Sequence, residues 1–263
     1  MRRASKAKIK AKALCVICCA VLAMTFSLSG LMPGSTVKAT TLQRSEITIA
    51  LDAGHQAKQD LRLERIDPDN KSLGRKYKMV GGCSSAYNHM PEYKYTLIIA
   101  KKLKADLEKR GYKVYMVRTK NNVDIGCQTR AKKINKSGSK ICIRLHCDSY
   151  GSSARGVSTI YKPGHNSYYS KSDASRSKVL ASYILSGECK STGFTKRYND
   201  ARNDMTGQNW SKIPTALIEM GFFSNRREAK IMSRTSCQDK IASGIAGGIE
   251  KYMKKYYHVD KAV

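Results

Sequence analysis

Along the chain, short apolar runs alternate with longer segments whose apolar residues recur every three or four positions. Residues 46–51 read as a buried strand that runs into Asp52-Ala53-Gly54. Pro91 suits the first position of a helix, and Tyr93, Leu97, Ala100, Leu103 and Leu107 follow it along one face up to a stop at Gly111. Residues 113–117 predict a strand, 124–135 a short helix and 141–146 a strand with alternating faces. Residues 157–161 add a strand, 172–190 a helix and 214–220 another apolar strand. The last element is a helix over 239–256, with Ile241, Ile245, Ile249, Tyr252 and Tyr256 in one stripe. This rhythm predicts a single α/β domain with a mixed, mostly parallel sheet and helices on both faces, free of internal repeats. Between residues 56 and 90 the chain is polar and broken by Pro68, Gly74, Gly81 and Gly82, which predicts a long surface loop of the kind that covers sites.

Composition narrows the setting. Lys+Arg 49 against Asp+Glu 20 gives a formal charge of +29, while 41% hydrophobic residues leave material for a sizeable core. Such an excess calls for a polyanionic neighbour, and nucleic acid, anionic lipid and acidic wall polymers satisfy it equally. The first residues choose among them: six cations between Arg2 and Lys12 precede an apolar run from Ala13 to about Met32, followed by Pro33, Gly34 and Val37-Lys38-Ala39. This layout predicts a secretory signal over residues 1–39 cut after Ala39, with an uncleaved membrane anchor as the competing reading. A six-residue linker, 40–45, would follow, then a working domain over 46–257 and a tail over 258–263. Export argues against a nucleic-acid partner, and no later run approaches spanning length. Losing residues 1–39 takes away seven cations and no acid, so most of the charge belongs to the working domain. Six cysteines remain there; the even number permits disulfides outside the cytoplasm, with pairing open, and the absence of a CxxC pair argues against a zinc knuckle.

Three polar residues interrupt apolar strand ends: His55, His146 and Glu219. The crevice at strand carboxyl ends is where open α/β sheets present ligands. Either histidine alone fits a hydrogen-bonded structural role, and Glu219, a carboxylate inside Ala-Leu-Ile-Glu-Met, fits a buried ion pair. Glu92 stands in a helix's first turn, where the helix dipole suffices to favour an acid. Two histidines, a carboxylate and an open position compose a catalytic zinc shell, and a further carboxylate would serve as base. Glu64 is a rival acid for that shell.

Ile-Ala-Leu-Asp-Ala-Gly-His (49–55), Pro-Glu-Tyr-Lys-Tyr-Thr-Leu (91–97), Ile-Arg-Leu-His-Cys-Asp (143–148) and Ile-Glu-Met-Gly-Phe-Phe-Ser-Asn (218–225) carry the next step. With these segments in this order, the chain resembles the zinc-dependent N-acetylmuramoyl-L-alanine amidases of type 3, from about Ile47 to Tyr256. The resemblance implies zinc held by His55, Glu92 and His146, with Glu219 as the catalytic carboxylate beside it. It implies hydrolysis of the amide between N-acetylmuramic acid and L-alanine and peptidoglycan as the partner, while the excess of cations adds anionic wall polymers as a source of attraction. The chain departs from the family at Gln56-Ala57, where Gly-Gly is usual, and at Cys147-Asp148, where Ala-Asn is common. Arg144 replaces a frequent small polar residue; two positions before His146 on a strand, it shares that residue's face and would contact an anionic part of the substrate, or else stand as an exposed strand charge. Asp148 is the next candidate base after Glu219. Two other readings accompany the amidase: a wall-binding protein without catalysis, and a zinc peptidase cutting within stem peptides.

Overall fold

The computed structural model describes residues 42–259. The expected signal over residues 1–39 and its cleavage site, linker residues 40–41 and tail residues 260–263 lie outside the described residues. Strand β1 (Thr48–Ala53) leads into a hairpin of β2 (Asp60–Arg65) and β3 (Arg75–Met79), then helix α1 (Glu92–Lys109) and β4 (Lys113–Met116). Helix α2 (Cys127–Lys136), β5 (Ile141–Asp148), β6 (Val157–Tyr161), α3 (Lys171–Thr192) and β7 (Lys196–Ala201) follow. A single turn, α4 (Thr206–Asn209), then β8 (Thr215–Phe222), α5 (Arg226–Met232) and α6 (Thr235–Tyr257) complete it.

Six strands form one sheet in the order β4-β1-β5-β8-β6-β7. All neighbours are parallel except β6 and β8, which run antiparallel. The expected α/β architecture is therefore present. Strand alternation divides the side chains between two layers. Ile49, Leu51, Ile141, Ile143, Leu145, Ile218 and Met220 face α1, α3 and α6 and join the main core. On the opposite face Ala50 and Cys142 pack with Val117 and Ile134, so α2 covers this side. Burial of a side chain such as Leu103 or Leu107, both fully enclosed, stabilises the fold by roughly 1.5–3 kcal/mol each.

The loop expected over residues 56–90 is corrected by β2 and β3, which pair antiparallel as a separate two-stranded sheet. The hairpin leaves Leu61, Leu63 and Tyr77 about half exposed, so no buried face imprints a strand pattern on its sequence. Strand β7, α4 and α5 were not expected either, and α6 begins four residues earlier than the stripe implied. In α1 the buried aromatic is Tyr95, while Tyr93 is only half-buried. No helix among the described residues is long and apolar enough to cross a membrane.

Candidate active site

The second sheet face ends in polar residues. Cys142, Arg144 and His146 alternate on β5, and Thr215, Leu217 and Glu219 alternate on β8. The register pairs His146 with Glu219, so the two side chains emerge next to each other from neighbouring strands. His55 follows β1 with a left-handed backbone, φ 57°. Its carbonyl accepts from Arg130 Nη2 at 2.8 Å, and the preceding carbonyls, of Ala53 and Gly54, accept from Arg118 at 2.9 and 3.0 Å. These two largely buried arginines hold the turn that carries His55.

Glu92, at the start of α1 and 2% exposed, lies between the two histidines. Its Oε2 is 3.3 Å from His55 Nε2 and its Oε1 is 3.2 Å from His146 Nδ1. The N–H groups of Cys83 and Cys147 donate to the same two oxygens at 3.0 Å each. Burial works to raise the Glu92 carboxyl, but the hydrogen bonds and charge of His146 and His55 prevail and hold it well below the usual carboxylate range. Burial pushes the His146 imidazole below its ordinary value, which favours the neutral ring that a metal requires. Two glycines make the crowding possible. A Cβ at Gly54 would stand 2.4 Å from the His146 ring, and one at Gly82 would stand 2.6 Å from Glu92 Oε2.

One ligand atom from each of His55, Glu92 and His146 lies within 4.8 Å of the others, and the two rings meet edge to face at 4.8 Å. The donor set, two imidazoles and one carboxylate, fits a divalent ion of zinc's preferences. His55 Nδ1 sits 2.8 Å from Val80 O, the kind of carbonyl contact that turns the other ring nitrogen toward a metal. Glu64 is elsewhere: it accepts from Gln128 N–H at 3.0 Å and takes no part in the trio.

Glu219 is in no ion pair among those present in the described residues, and its Oε2 is buried without a hydrogen-bond partner. Burial pushes its carboxyl well above the usual range, and Glu92 and Asp148 add to this. The site residues divide between two cavities. His55, His146 and Arg144 line one of about 520 Å³, walled on one side by the hairpin. Glu219 and Asp148 line a smaller one of about 220 Å³ together with Arg202. Arg144 is not an exposed strand charge: it is 6% exposed, and its Nε donates to Asp52 Oδ2 at 3.0 Å. Arg118, Arg130 and the amides of Cys83 and Cys147 escaped sequence reasoning, because backbone donors carry no side-chain signal and Arg130 reads as one more cation on a polar helix.

Comparison with known proteins agrees in extent. The family model described as N-acetylmuramoyl-L-alanine amidase matches residues 49–251. An N-acetylmuramoyl-L-alanine amidase of Mycobacterium tuberculosis is 23% identical over 222 residues, 83% of this chain and 91% of the relative. A germination-specific N-acetylmuramoyl-L-alanine amidase of Bacillus subtilis is 30% identical over 168 residues, 63% and 65% of the two chains. Among solved structures, an N-acetylmuramyl-L-alanine amidase of Mycobacterium smegmatis superposes with a TM-score of 0.72 at 22% identity, covering 81% of this chain and all of that one (100%). One from Clostridium difficile does so at 0.64 and 24%, covering 80% and 98%. The structural likenesses speak for the fold.

Proposed function

The chain belongs to the N-acetylmuramoyl-L-alanine amidase family, and we propose that it is a zinc-dependent enzyme acting on peptidoglycan at the bond between N-acetylmuramic acid and L-alanine. The observation that carries this reading is the convergence of His55, Glu92 and His146 on one point beside the unpaired carboxylate of Glu219. In this reading the trio holds zinc. Two neutral imidazoles and one carboxylate leave such an ion a net positive charge, so it would supply Lewis acidity toward the amide carbonyl and acidify a water. Glu219 takes the proton of the attacking water and returns it to the departing alanine nitrogen. A cation in the trio favours the ionised Glu219 that this step needs, against the burial that raises its carboxyl. The Cys83 and Cys147 amides keep Glu92 in place between the rings.

Export completes the proposal: residues 1–39 act as a secretory signal, the domain over 46–257 works outside the cytoplasm, and its cations attract anionic wall polymers through a force that salt screens. One assay tests the reading. Purified walls are incubated with the protein, sedimented at low and high salt, and the products weighed by mass spectrometry. Expected are glycans lacking peptides, stem peptides with a free alanine amine, and weaker retention at high salt. Cuts within stems would instead make the protein a peptidase, and intact walls would make it a binding protein without catalysis. Equal retention at both salt levels would remove the electrostatic part.

A further inference from the structure

Arg144 does not complete the metal trio, yet it is among the least exposed cations of the domain. Asp52, fully buried, receives Arg144 Nε on Oδ2 at 3.0 Å and Arg130 Nη1 on Oδ1 at 2.6 Å. Two arginines thus share one carboxylate, and the triad keeps a net positive charge. Arg130 spends its remaining donors on Ala53 O, His55 O and Gln56 Oε1. Arg144 is the member that opens on the 520 Å³ cavity, with the Cys127 thiol and Leu217 alongside. The one carboxylate among the described residues lining that cavity, Asp204, is already engaged by Lys76 at 2.8 Å and by Arg202 at 2.7 Å. A glycine seats the guanidinium: a Cβ at Gly207, in α4, would stand 1.7 Å from Arg144 Nη1.

Position supplies the rest. Arg144 and His146 are alternate residues on one face of β5, so their Cα atoms are about 6.5–7 Å apart. In a stem peptide the first group that can bear a carboxylate is the residue after alanine, whose Cα lies roughly 6 Å from the scissile carbonyl by backbone dimensions. We propose that Arg144, seated on Gly207, forms an anion subsite of this cavity for the free carboxylate of the second stem residue, so that the enzyme prefers stems in which that carboxylate is not amidated. This rests on the amidase reading. A phosphate on the muramoyl sugar offers the same anionic chemistry from the glycan side, and the test separates the two.

The experiment compares kcat/KM on N-acetylmuramoyl-L-alanyl-D-glutamic acid γ-methylamide, whose α-carboxylate is free, and on the same compound with that carboxyl amidated, for the parent, Arg144→Gln and Gly207→Ala, with thermal unfolding of each. The parent should favour the carboxylate by about 10- to 100-fold, the range of one charge-assisted hydrogen bond. Arg144→Gln should bring the ratio near one by losing rate on the carboxylate substrate. Gly207→Ala keeps the charge and displaces only the far end of a flexible side chain, so it should shrink the ratio in a folded protein even if the first variant fails to fold. Equal rates on both substrates in the parent, or a ratio that neither variant changes, would overturn the subsite while leaving the amidase reading intact. Cleavage of neither substrate overturns both. A preference instead for 6-phosphorylated muramoyl substrates, lost in both variants, would move the anion to the glycan and overturn the peptide-side placement.

Discussion

In the proposed mechanism Glu219 transfers a proton and holds no metal, so a single side chain can separate the two roles. Glu219→Gln keeps the shape and one acceptor but cannot take a proton, so turnover should fall by about 10²–10⁴-fold while zinc content and melting temperature stay near the parent's. A folded, zinc-loaded Gln variant working at the parent rate would remove Glu219 from the chemistry and turn attention to Asp148, which shares its cavity. Residues of the site differ in how far the sequence exposes them. His55, His146 and Glu219 stand out because polar groups at apolar strand ends are unusual, and register then brings the last two side by side. Glu92 is different, since a helix's first turn favours an acid for its dipole alone; only the family resemblance singles it out, and only the folded chain sets it between two imidazoles. Arg144 stands out in sequence by sharing the face of His146, but its burial follows from a long-range pairing with Asp52 that no local pattern encodes.

Elements with one buried face were readable, and those without one were not. The sheet's central strands and the helices α1, α3 and α6 alternate or recur because each packs against a core. The β2–β3 hairpin and edge strand β7 expose most of their residues, so charged side chains dilute their alternation. The most extensive contact between two elements is that of α3 and α6, which a sequence shows merely as scattered glycines. A Cβ on Gly248 would stand 2.5 Å from Tyr183 O and 2.6 Å from Ile184 Cα, both backbone atoms that cannot swing aside. Gly248→Ala should therefore lower stability by about 1–3 kcal/mol, the usual range for overpacking, despite alanine's better helix propensity. For a domain of this size that is a melting point lower by about 3–10 °C. An unchanged or raised melting temperature would mean that the two helices can separate without cost.

At the scale of the molecule, one sheet face carries the main core and the other carries the candidate site beside a smaller apolar cluster, because β1, β5 and β8 all direct their alternate residues to the same side. The fold class follows from the order of strand and helix signals, whereas the larger cavity depends on the hairpin and on α4, and the smaller one on β7, all of which were hidden. Zinc in the His55, Glu92 and His146 trio is the claim on which the rest depends. The most direct measurement is zinc per chain and wall-degrading turnover determined on the same samples: the parent, the chelated parent, the chelated parent restored with zinc, and His146→Ala. The account predicts one zinc per chain, activity that leaves with the metal and returns with it, and neither metal nor turnover in His146→Ala. Full turnover in the metal-free parent, or unchanged zinc in His146→Ala, would contradict it.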